Sequence, residues 1–77
     1  MKFQDKVGLR IAQLRNDKNL SQQKLAYEAN IERTHLTHIE KGRKNISLST
    51  LDKLINALDI KPKDFFDSDI FKNESVS

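Results

Sequence analysis

Residues 21–42, SQQKLAYEANIERTHLTHIEKG, decide the fold of this chain. Ser21 stands where a helix needs an N-cap, its hydroxyl able to accept from the backbone N–H of Gln23 or Lys24. Leu25, Ala26 and Ala29 recur at helical spacing as an inward face, and the two alanines are small enough to admit a second helix at close range. Asn30 then interrupts the pattern with a residue type that tolerates positive φ, and Ile31 follows as an apolar plug. A second helix begins at Glu32 or Arg33, turns Leu36 and Ile39 inward, and stops at Gly42. Helices this short do not persist alone in water, so the remaining residues are what they pack against.

Upstream, Phe3, Val7, Ile11 and Leu14 step by four, four and three residues, which marks one stripe of a helix over 3–18. Leu9 falls off that stripe and is expected at the surface. Asn19 ends the helix as a candidate left-handed cap. Downstream, Ser47 caps a helix whose Leu48, Leu51, Leu54, Ile55 and Leu58 form the cleanest amphipathic pattern in the chain. Lys61 and Pro62 break it and permit a fifth short helix, since proline is tolerated in a first turn. Phe65, Phe66 and Phe71 place three of the four phenylalanines near the C-terminus. These elements amount to an all-α, compact five-helix bundle. One domain is expected over residues 1–72, with a frayed tail at 73–77.

Seventy-seven residues, 36% of them hydrophobic and 32% charged, support one core of marginal stability. A stabilising partner subunit fits such a chain. The absence of cysteine removes disulfides, thiolate metal sites and cysteine nucleophiles, and suits a reducing, cytoplasmic setting. No apolar run approaches a membrane span, and the N-terminal MKFQDK lacks the apolar stretch of a secretion signal. Residues 1–57 hold eleven Lys and Arg against six Asp and Glu, whereas residues 58–77 hold three against five. A basic body with a mildly acidic end suits a phosphate-bearing partner, though the same balance also occurs as an ordinary solvated surface.

The stretch from Leu20 to Leu58, with its opening SQ, Leu25, Ala26, the turn at Asn30, Leu36, Ile39, then IEKG and NISLSTL, resembles the DNA-binding helix-turn-helix domain of the phage repressor and Cro type. The resemblance covers about residues 5–66. The ERTH stretch followed by GRKNISL is most similar to the controller proteins of restriction-modification systems. Members of such families usually carry glycine where this chain has Asn19 and Asn30, and asparagine is the non-glycine residue best able to keep those turns. Glu32 stands where Ser, Thr or Asp often caps the recognition helix. Its charge suits a helix N-terminus, and its carboxylate would point away from the DNA backbone or toward a cytosine amino group.

The resemblance implies a sequence-specific transcriptional regulator that binds a palindromic operator in double-stranded DNA as a homodimer, autoregulatory in the manner of a restriction-modification controller. It places the second helix of the motif in the major groove. Arg33 is then the candidate for bidentate donation to guanine O6 and N7. Thr34 would meet a base edge or a thymine methyl, His38 a base, and His35 a base or the sugar-phosphate edge. Ser21, Gln22, Gln23, Thr37, Arg43, Lys44 and Asn45 would contact the DNA backbone, with Gln22 as the principal clamp. Glu40 would pair with Arg15 and join the first helix to the third. Ile60, Phe66, Ile70 and Phe71 are candidates for dimerisation; Phe65 and Ile60 also suit the monomer core, and Phe66, Ile70 and Phe71 are expected as an exposed patch.

His35 and His38 lie three apart with Glu40 nearby, but a third convincing ligand is missing, so no metal site is expected. No nucleophile is spaced for activation by a base, no glycine-rich phosphate loop is present, and no cofactor, small-molecule effector or enzymatic activity is expected. Alternatives are a phage-type repressor, an antitoxin, or a protein-interaction module that keeps the fold without binding DNA. The basic GRK loop and the polar face of the second motif helix oppose the last of these.

Overall fold

Helix α1, Phe3–Asp17, is the longest element of the computed structural model, which describes residues 1–72. Helix α2 is Gln22–Ala29, α3 Arg33–Glu40, α4 Leu48–Ala57, α5 Pro62–Phe65 and α6 Asp69–Lys72. The described residues are thus all helix and connection, with six helices rather than the five expected. The difference lies in the aromatic end. Phe66 closes α5, and the Ser68 hydroxyl accepts from the Ile70 N–H at 3.3 Å, which opens a new turn. The tail expected at 73–77 lies outside the described residues.

Two of the helices start on serine caps. Ser21 Oγ accepts from the Lys24 N–H at 3.0 Å, and Ser47 Oγ accepts from the Thr50 N–H at the same distance. Ser47→Ala should cost about 1 kcal/mol of stability. A urea titration showing no shift of the midpoint would contradict that role.

Four helices end in one motif. Asn19, Asn30, Gly42 and Asp59 have φ of 57°, 59°, 73° and 57°, the left-handed region. The next N–H in each case reaches back five residues: Leu20 to Arg15 O, Ile31 to Ala26 O, Arg43 to His38 O and Ile60 to Ile55 O. This is the Schellman closure, and its usual apolar companion is supplied by Leu20, Ile31 and Ile60, all packed against the core. Asparagine–leucine, asparagine–isoleucine and aspartate–isoleucine are therefore the same signal at three helix ends. The turn at Asp59 escapes a reading that looks only for glycine or asparagine.

The core is drawn from every helix but α6: Val7, Ile11 and Leu14 of α1, Leu25, Ala26 and Ala29 of α2, Leu36 and Ile39 of α3, Leu51, Leu54 and Ile55 of α4, and Phe65 of α5, with Leu58 just after α4. Two apolar residues expected on the inward stripes lie outside it. Leu48 is 84% exposed because it is the first residue of α4, before that helix meets the core at Leu51. Phe3, at the first position of α1, is 63% exposed, and its ring stacks on Phe66 at 6.3 Å between centroids.

Phe66 and Phe71 also contact each other, at 5.0 Å, and both pack on the core. They are half-buried, as is Ile70, so the exposed patch expected there is partly covered, with the rings of Phe66 and Phe71 packed over Phe65 as an aromatic lid. Arg10 fastens this lid, its Nε donating to Phe65 O at 2.7 Å and its Nη2 to Asp64 O at 3.0 Å. On the far side of the lid Lys72 lies 2.6 Å from Asp67. The hydrogen bond from Lys72 holds the Asp67 carboxyl below its ordinary pKa, but both groups face water and add little to stability.

Glycine matters at one further place. Helix α1 crosses so close to the end of α3 that a Cβ on Gly8 would stand 2.2 Å from Ile39 O. Neither the Arg10 clasp nor this crossing figured among the expected features. Arg10 has no local signal, and a glycine inside a helical pattern signals only a local cost in helix propensity.

Candidate nucleic-acid interface

Burial of Leu36 and Ile39 fixes the rotation of α3 and so decides which of its side chains meet solvent. Arg33 and Thr34 are exposed at its first turn, and His35, Thr37 and His38 are half-buried along its length. Thr34, His35, His38, Glu32 and Lys44 line one open depression, which brings the basic loop to the side of the helix. Arg43, Lys44 and Asn45 are all exposed. Glu32 precedes α3 in extended conformation and makes no side-chain cap bond.

The start of α2 reaches the same face. Its first backbone N–H groups have no partner within the helix, as at any helix N-terminus, and with the helix dipole they favour an anion. Ser21 and Gln23 are exposed there, the Ser21 oxygen already accepting the cap bond. Gln22 is half-buried against α3. Its Nε2 donates to Glu40 Oε1 at 2.9 Å, and its Oε1 accepts from the Thr37 hydroxyl at 2.9 Å. One of its two amide protons is therefore engaged inside the protein.

Glu40 is the hub of this junction. Arg15 Nε lies 2.7 Å from Glu40 Oε2 and Arg15 Nη2 3.1 Å from Oε1, a bidentate pair, while Arg15 Nη1 donates to Leu20 O at 2.8 Å. The two side chains are only 14% and 6% exposed. The carboxylate at the end of the polar helix α3 is thus neutralised from behind by Arg15. The candidates Ile60, Phe66, Ile70 and Phe71 belong to a different part of the molecule, beside α5 and α6.

Among the described residues no group of three or more His, Asp or Glu is placed to hold a metal, and no helix is long and apolar enough to cross a membrane. The helix-turn-helix family pattern matches residues 11–65, which spans α2, α3 and their supports. The chain belongs to the helix-turn-helix family of DNA-binding regulators.

Within that family it is similar to restriction-modification controller proteins. Control protein C.BamHI of Bacillus amyloliquefaciens is 43% identical over 61 residues, 78% of this chain and 75% of that protein. The controller C.AhdI from Aeromonas hydrophila has 40% identity and a TM-score of 0.78, covering 82% of this chain and 96% of its own. The controller C.Esp1396I, solved as a tetramer on its natural 35 base-pair operator, has 29% identity and a TM-score of 0.84 over 94% of this chain and 95% of its own. These relatives are regulators, and this helix-turn-helix protein is a regulator and not an enzyme.

Proposed function

We propose that this helix-turn-helix protein is the autoregulatory transcriptional controller of a restriction-modification system, acting in the cytoplasm as a homodimer on a palindromic operator in double-stranded DNA. The observation that carries it is the convergence of the α3 polar face, the start of α2 and the basic loop on one side of the molecule. That arrangement supplies the two kinds of contact that DNA recognition needs.

Arg33, Thr34, His35 and His38 read base edges in the major groove. Ser21, Gln22, Gln23, Arg43, Lys44 and Asn45 hold the phosphates on either side and set the register, with the Thr37 hydroxyl on the same face and bonded to Gln22. A helix of eight residues reads too few base pairs to choose a site in a genome. Two copies related by a dyad read two half-sites, and Ile60, Phe66, Ile70 and Phe71 form the dimer contact. The operator-bound assembly of C.Esp1396I supports action by more than one copy. With no effector, occupancy follows protein concentration through the dimer and operator equilibria.

The test is a gel shift on the DNA upstream of the protein's own gene at two salt concentrations, with Arg33→Ala alongside. Wild type should bind specifically and lose affinity with salt. Arg33→Ala should weaken binding by about 1–3 kcal/mol, roughly 5- to 150-fold, and relax the preference at the base it reads. If neither the upstream DNA nor a selected random pool is bound, the protein-interaction module is the better reading.

A further inference from the structure

Gln22 is held at both ends of its side-chain amide. We infer that Glu40 and Thr37 are positioning residues that orient this amide for a DNA phosphate, so that the ion pair joining α1 to α3 also tunes DNA affinity from behind the contact surface. This rests on the DNA-binding reading above and adds a division of labour within it.

The two ends of a glutamine amide are nearly identical in shape but opposite in hydrogen-bonding sense. A carboxylate accepts only, so the end at Glu40 Oε1, 2.9 Å away, has to be the Nε2 amino group. The carbonyl Oε1 is thereby turned to the Thr37 hydroxyl, also at 2.9 Å. In this orientation the second Nε2 proton remains for a phosphate oxygen, and the carbonyl, which would repel that oxygen, is occupied. Were the amide flipped, an acceptor would face Glu40 and a donor would be withdrawn from the DNA side.

Glu40 does not drift in response, because both of its oxygens are also gripped by Arg15. The Thr37 proton has two acceptors in reach, Gln22 Oε1 at 2.9 Å and Arg33 O at 3.1 Å. The second is the common back-bond of a helical threonine; the shorter bond is the one that crosses to α2. Thr37 therefore affects DNA binding through Gln22. A direct contact between Thr37 and the DNA backbone would act independently of Gln22, and that difference is measurable.

The experiment is a double-mutant cycle on the full chain, with affinity for the upstream DNA measured by fluorescence anisotropy at one salt concentration. The set is wild type, Thr37→Val, Gln22→Ala and the double variant, each first shown by thermal melting to be folded. Thr37→Val should weaken binding about threefold to tenfold, Thr37→Ser should restore it, and Thr37→Val should add nothing once Gln22 is alanine. Equal losses in both backgrounds would mean that Thr37 touches DNA itself, overturning this inference and leaving the proposed function standing. Absence of DNA binding by wild type would overturn the proposed function and the phosphate role together. A DNA-independent readout separates the relay from both: the Gln22 side-chain amide proton signals of the free protein should shift in Thr37→Val and return in Thr37→Ser. Signals indifferent to Thr37→Val sink the relay whatever the DNA result.

Discussion

Arg15→Ala should lower the stability of the folded chain by about 3 kcal/mol, the lower end of the range for breaking a buried ion pair. For a domain of this size that corresponds to a fall in melting temperature of about 12–24 °C. The cost comes from what is left behind. Glu40, only 6% exposed in the native fold, would keep the neutral Gln22 amide as its answering group. Glu40→Ala should cost less, because Arg15 is more open, at 14%, and keeps its bond to Leu20 O. If both single variants melt with the wild type, the pair has no structural role. Replacing both partners by methionine should leave the protein more stable than Arg15→Ala alone, since no charge is then stranded.

Gly8→Ala is the second substitution with a large expected effect. Alanine favours a helix interior by about 0.5–1 kcal/mol over glycine, so local propensity alone predicts a more stable protein. Packing opposes it. The new Cβ would stand 2.2 Å from Ile39 O and 3.1 Å from Glu40 O, and both neighbours are backbone, which cannot rotate aside as a side chain can. Helices α1 and α3 would have to separate, at the crossing whose far side carries the Arg15–Glu40 pair. Overpacking costs about 1–3 kcal/mol or more, so the steric term wins and a net loss of about 1–2 kcal/mol is expected. A Gly8→Ala variant that melts at or above the wild-type temperature would show that the two helices do not approach this closely.

Much of the fold was legible because its rules are local. A serine before an apolar periodic run caps a helix within three residues, and Ser21 and Ser47 both do so. Asn19 and Asn30 adopt left-handed φ for reasons contained in their own side chains. Asp59 follows the same geometry, yet aspartate is a weaker turn signal, and only the isoleucine after it marks the helix end. Leu48 shows the limit of periodicity. Its angular position resembles that of buried neighbours, but no local rule says where along α4 the supporting helices begin.

The candidate site divides in the same way. Arg33 and Thr34 face outward because Leu36 and Ile39 face inward, a consequence of helical spacing. Gln22 was legible as a phosphate contact only through resemblance and its place at a helix start. That its amide is held by partners 18 and 15 residues away was not. Nor was the grip of Arg10 on carbonyls 54 and 55 residues downstream, or the packing of Phe66 and Phe71 over Phe65 that leaves them half-buried.

Residues 21–42 by themselves determined a serine-capped helix, the left-handed turn after it, a second helix and its polar face, since each depends on side chains within a few positions of one another. Tertiary structure alone decided how far that face is prepared for its partner. Long-range packing set Gly8 against Ile39, closed Arg15 on Glu40 and thereby oriented Gln22. Such choices depend on distances between residues remote in the chain, which spacing along it does not encode.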